Sequence, residues 1–100
     1  MENILSQYCN NKTVIACYTE EQSLEINRLF EELGYTSKHE YGKDYVEDGG
    51  VGYEVTQYFI RSTKGAIEFS RIDYYKQEGG YTFINASDLL KPIEPSYDIY

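Results

Sequence analysis

Three features of this 100-residue chain predict an α+β domain with one main helix packed on a small, mostly antiparallel sheet. They are a single amphipathic helix over about residues 20–33, a switch to period-two patterning from Tyr53, and short glycine-bearing turns between the later apolar runs. The predicted order is β-α-β-β-β with a short C-terminal helical turn. A single domain is expected over 1–90 and an extended tail over 91–100.

The first strand is Thr13-Val14-Ile15-Ala16-Cys17-Tyr18, a β-branched apolar run of the kind that is buried on both faces. Thr19-Glu20-Glu21-Gln22 then fits a capping box, in which the Thr19 hydroxyl accepts from the Gln22 amide while Gln22 reaches back. Glu20 and Glu21 sit at the positive end of the helix dipole. Ile26, Leu29, Phe30 and Leu33 fall at i, i+3, i+4 and i+7, and Gly34 provides a left-handed stop.

Residues 36–52 are polar and glycine-rich, and predict a long loop carrying Tyr41 and Tyr45, placed to close over a ligand. From Tyr53 to Arg61 the alternation puts Tyr53 and Val55 on one face of a strand and Glu54 and Tyr58 on the other. Ser62-Thr63-Lys64-Gly65 is a turn into a second strand over Ala66–Ile72, with Ile67 and Phe69 on one side and Glu68 and Ser70 on the other. Asp73 to Gly80 predicts one helical turn closed by glycines. Tyr81–Ile84 follows as a hairpin-type strand, and Asn85–Leu90 as a last helical turn capped by Asn85 or Ser87. Pro92 and Pro95 interrupt regular structure in the tail.

Charge narrows the function. The net charge is −8, from 17 acidic and 9 Lys or Arg side chains, which excludes a general nucleic-acid binder because such a protein needs a basic face. The acidity is uneven. Residues 1–60 carry 11 acids and 4 bases, whereas residues 61–100 carry 6 acids and 5 bases. No apolar run approaches a membrane span, and the start Met1-Glu2-Asn3 is not that of a secretory signal, so a cytoplasmic protein without membrane contact is expected.

No enzyme motif is present. Gly49-Gly50-Val51-Gly52 lacks the Lys-Ser/Thr of a phosphate loop, His39 is the single histidine, and Cys9 and Cys17 have neither metal-site nor redox spacing. The expectation is a protein without catalysis, metal or cofactor. Recognition chemistry is richer, because 12 tyrosines in so small a domain cannot all be interior. Arg61, Arg71 and Lys76 are candidates to hold phosphates, with Tyr53, Tyr58 and Tyr75 to stack on rings and Tyr41 or Tyr45 to close from the loop. The competing reading pairs Arg61 and Arg71 with Glu54, Glu68 and Asp73 as ordinary sheet ion pairs.

The string Thr19-Glu20-Glu21, Leu33-Gly34-Tyr35, Ile67-Glu68-Phe69-Ser70, Gly80-Tyr81-Thr82-Phe83-Ile84 and Asp88-Leu89-Leu90 resembles small proteins of phages of Gram-positive bacteria. It departs from them at Thr36-Ser37, where those proteins carry tryptophan. The resemblance implies a phage origin, an α+β fold and action in the host bacterial cytoplasm. It implies an anti-defence role of one of two kinds. The first is a homo-oligomeric sponge that sequesters a small nucleotide-derived immune signal. The alternative is an acidic inhibitor, imitating DNA, that binds a host defence protein such as a CRISPR nuclease through Glu25, Glu31, Glu32 and the loop.

Overall fold

The computed structural model describes residues 3–10, 12–37, 43–55 and 65–90. Within them, five strands and four α-helices follow in the order β1 Thr13–Cys17, α1 Glu20–Glu32, β2 Tyr35–Ser37, α2 Lys43–Glu47, β3 Val51–Val55, β4 Gly65–Arg71, α3 Ile72–Glu78, β5 Thr82–Asn85 and α4 Ala86–Leu90. The fold class is α+β, as predicted.

Local signals set α1 as expected. The Thr19 hydroxyl accepts from the Gln22 amide at 3.1 Å, and the Gln22 side-chain oxygen reaches back to the Tyr18 amide at 2.8 Å, one residue earlier than a standard capping box. At the other end Gly34 takes φ of 103°, a conformation costly for any residue with a Cβ.

The sheet order is β2-β4-β3-β1-β5. β3 runs antiparallel to both β1 and β4, while β5 pairs parallel with β1 and β2 parallel with β4. Two sequence expectations are thereby corrected. The stretch over residues 36–52 is not simply a loop, since it includes most of β2 and all of α2. The last strand is not a hairpin partner but lies parallel to β1, with Thr13 opposite Thr82 and Ile15 opposite Ile84. The reason is α3, which returns the chain to the end from which β4 started and so requires a parallel crossover.

Two crossovers organise the molecule. From β1, α1 leads past β3 and β4 to the edge strand β2, and from β4, α3 leads past β3 and β1 to the opposite edge, β5. They travel in opposite directions over opposite faces of the sheet, which gives both the same hand. Alternation along the strands then sorts the side chains. Ile15, Cys17, Val51, Tyr53, Val55 and Ile67 face α1, where they pack with Ile26, Leu29 and Phe30. Tyr45 and Val46 of α2, Leu89 and Leu90 of α4, and Leu5 from the N-terminal segment close this core.

The second face carries Val14 and Ala16 of β1, Gly52 and Glu54 of β3, and Glu68 and Ser70 of β4, in register across the ladder. Among the described residues its one helix is α3, which has seven residues. Gly52 is what lets α3 approach. A Cβ there would lie 2.5 Å from Val14 Cγ1 and 3.0 Å from the Tyr75 ring. Glycine therefore gives the ring its seat on the sheet.

Candidate functional site

On the α3 face, register creates a feature that neither strand shows alone. Glu54 of β3 and Glu68 of β4 are direct cross-strand partners, so two carboxylates project side by side over the sheet. The Tyr75 phenol donates a hydrogen bond to the Glu54 carboxylate. Burial holds the Glu54 carboxyl above its ordinary range; the Tyr75 hydrogen bond opposes that shift and the neighbouring Glu68 charge adds to it. The Tyr75 phenol is raised by burial and then by the same Glu54 charge.

Aromatic rings flank the carboxylates. The Tyr75 ring meets Tyr81 edge to face at 4.9 Å between centroids and Tyr74 at 5.4 Å. Tyr75 is 2% exposed and Tyr74 is 49% exposed, so the central ring is interior and one flanking ring reaches solvent. The Tyr81 phenol is raised first by desolvation and then by the charges of Glu54, Tyr74 and Glu78.

A second cluster lies where β4 ends. The Arg71 guanidinium is 2.7 Å from the Asp48 carboxylate and stands 5.6 Å from the Tyr45 ring centroid. Tyr45 in turn packs edge to face on Phe69 at 5.6 Å. Both Arg71 and Asp48 are more than half exposed. This cation–π and ion-pair arrangement orders the α2 to β4 corner.

Of the eight residues singled out as a ligand site, the five among the described residues do not gather at one place. Tyr41, Tyr58 and Arg61 lie outside the described residues. Tyr45 and Arg71 are brought together at the α2 corner. Tyr53 is fully buried beneath α1, sharing a hydrogen bond with the buried Ser23 hydroxyl, so its ring has no face open to a ligand. Tyr75 lies on the opposite face, and Lys76 is exposed on α3. Arg71 pairs with Asp48, a partner absent from the acids nearest to it in sequence or strand pattern. A surface hollow near the N-terminus, lined by Asn3, Ile4, Ser6 and Gln7, contains none of the eight.

The acidic helix is also altered by its own geometry. Arg28 on the exposed side of α1 forms ion pairs with both Glu25 and Glu32, one turn to either side. Glu25 is held below its ordinary range, first by the Arg28 hydrogen bond. Two of the three acids expected to imitate DNA thus already share one cation. Cys17 lies in the core, where burial pushes its thiol up to about 12, so it carries almost no thiolate at neutral pH. Among the described residues, no three His, Cys, Asp or Glu side chains gather in a way that would hold a metal ion.

Sequence reading missed the Glu54–Glu68 pair because each glutamate stands alone in its strand. The available signal was the outward position of each in an alternating pattern, and strand pairing then supplied the neighbour. No helix among the described residues is long and apolar enough to cross a membrane. Comparison with known proteins finds no match among family models, curated proteins or solved structures.

Proposed function

We propose that the protein is a non-catalytic binding protein that occupies a basic surface of another protein through the α3 face of its sheet. The observation that carries this reading is the juxtaposition of Glu54 and Glu68 beside the Tyr74, Tyr75 and Tyr81 rings. Two carboxylates opposed across a ladder are complementary in charge to cationic groups on a partner surface. Tyrosines supply contact area with little loss of side-chain entropy. The resemblance to phage proteins supports a setting in the bacterial cytoplasm during infection, with a nucleic-acid-handling defence enzyme such as a CRISPR nuclease as the partner.

The test is retention of a purified nuclease of that kind on the immobilised protein. Wild-type protein should retain it in a salt-sensitive manner, and a Glu54→Lys, Glu68→Lys double variant should lose at least tenfold in affinity. Charge reversal of Glu25 and Glu32 should matter less, because both already share an ion pair with Arg28, which leaves the three side chains at a net charge of only −1. Loss of binding on that second change but not the first would overturn the assignment of the surface.

A second reading, sequestration of a nucleotide-derived signal by a homo-oligomer, is favoured by the Arg71 and Tyr45 contact. An exposed ion pair such as Arg71–Asp48 contributes at most about 1 kcal/mol, so a phosphate can displace Asp48 at small cost. Incubation with cyclic ADP-ribose-type and cyclic oligonucleotide signals, followed by heat release, should return intact ligand from wild type and none from Arg71→Ala. Absence of any retained ligand or rise in melting temperature would overturn it, since a tight ligand stabilises the folded state by mass action.

A further inference from the structure

The sheet ends on one side at β5, and among the described residues no strand adjoins its outer side. The Thr82 amide donates to the Lys12 carbonyl at 2.9 Å, which turns the Thr82 backbone toward β1. Backbone direction alternates along a strand, and the parallel register is unbroken from Thr13 opposite Thr82 to Ala16 opposite Asn85, so Ile84 bonds β1 as well. Phe83 therefore directs both its N–H and its C=O away from the sheet, with the Tyr81 carbonyl and the Asn85 amide pointing the same way. Edge strands are ordinarily guarded by charge, proline or a bulge. β5 has none of these: no residue from Gly79 to Ser87 is charged, none is proline, and the ladder to β1 is regular. In a chain of net charge −8, such a neutral stretch is where a second copy can approach with little repulsion.

We infer that β5 pairs antiparallel with β5 of a second copy about a two-fold axis at Phe83, joining the two sheets into one. Phe83 exchanges both of its free backbone bonds with Phe83 of the partner subunit, and the Asn85 amide donates to the carbonyl of Tyr81 of the partner subunit. The donor and acceptor pattern is its own complement, as a two-fold contact requires. Side chains agree with it. Ile84 turns into the α1 core and so fixes the register, while Phe83, opposite Val14 on the other face, is only partly buried. The axis sets the two Phe83 rings side by side, an aromatic pair of the kind that stabilises neighbouring strands. It also stands perpendicular to the sheet, which leaves both α3 faces on one side. Two strands of four residues bury an area at the low end for specific interfaces, so the dimer is weak and concentration-dependent. It requires nothing of the Glu54 and Glu68 surface and holds or fails separately from docking there.

Sedimentation velocity of the full chain over a concentration series should show monomer passing to dimer. Phe83→Lys and Phe83→Glu, which place like charges across the axis, should each raise the dissociation constant at least roughly tenfold. Mixing the two variants should restore the dimer, because opposite charges then face each other, a rescue that a misfolded variant could not give. Hydrogen exchange of the wild type supplies a measure that needs no variant: the segment containing Phe83 and Asn85 should exchange more slowly as concentration rises. A monomer at every concentration, a dimer that survives both single variants, or exchange in that segment independent of concentration overturns the pairing.

Discussion

Replacing Glu54 by glutamine should stabilise the protein at neutral pH, although it removes a charge that accepts a hydrogen bond. Three effects compete at this carboxylate. Burial and the facing Glu68 disfavour its ionised form, whereas the Tyr75 hydroxyl favours it, and the balance lies with the first two because the Glu54 pKa is raised. A glutamine oxygen still accepts from Tyr75 and has no charge to oppose Glu68. A like-charge cross-strand pair costs about 0.2–1 kcal/mol, so a gain of about 0.5–1 kcal/mol is expected. In a domain of this size that is roughly 2–8 °C in melting temperature.

The pH dependence fixes the sign. Between the ordinary glutamate value of 4.5 and its raised folded value, Glu54 binds more protons in the folded than in the unfolded state. Its contribution to wild-type stability therefore increases as pH falls through that window, and the glutamine variant lacks this increase. Thermal melts followed by circular dichroism at pH 7.5 and pH 4 should show the variant ahead at the higher pH and the two proteins nearly equal at the lower. A variant less stable than wild type at pH 7.5 would refute the reasoning, because the charge-assisted Tyr75 bond would then outweigh burial and repulsion together.

Gly52→Ala should lower stability by about 1–3 kcal/mol in urea unfolding, because the new methyl group meets Val14 and the Tyr75 ring. Tyr53→Phe should cost about 1–3 kcal/mol by stranding the buried Ser23 hydroxyl, and adding Ser23→Ala should recover part of that loss in the same assay. Thr19→Ala should cost about 1 kcal/mol through the lost N-cap, read as a lower urea midpoint with an unchanged slope. Cys17 should resist iodoacetamide at pH 7.5 in the folded protein and react only after unfolding, as followed by mass spectrometry.

Where the residues speak for themselves, the fold was legible. The α1 boundaries follow from Thr19, Gln22, the Ile26 to Leu33 stripe and Gly34, all of which act within a turn of where they stand. The α3 end at Gly79, whose amide donates to the Tyr75 carbonyl, was readable for the same reason. Pairing was less legible. Thr82–Asn85 reads as a strand, but nothing local states that its neighbour is β1, and three residues of β2 are too few to show a period.

The candidate site was harder still. Tyr53 and Tyr75 looked alike as ring-stacking residues, yet one lies under α1 against Ser23 and the other over Gly52 against Glu54. Their different surroundings come from alternation in β3 and from the face to which α3 returns.

By itself, the sequence determined an α+β chain with one well-capped amphipathic helix and a net charge of −8. Helix signals operate between residues three and four apart, and net charge needs no geometry at all. Only the tertiary structure set Glu54 against Glu68, gathered Tyr74, Tyr75 and Tyr81 beside them, and drew Arg71 to Asp48. Those neighbours are separated along the chain and meet through strand register and crossover, which depend on how all five strands pair at once.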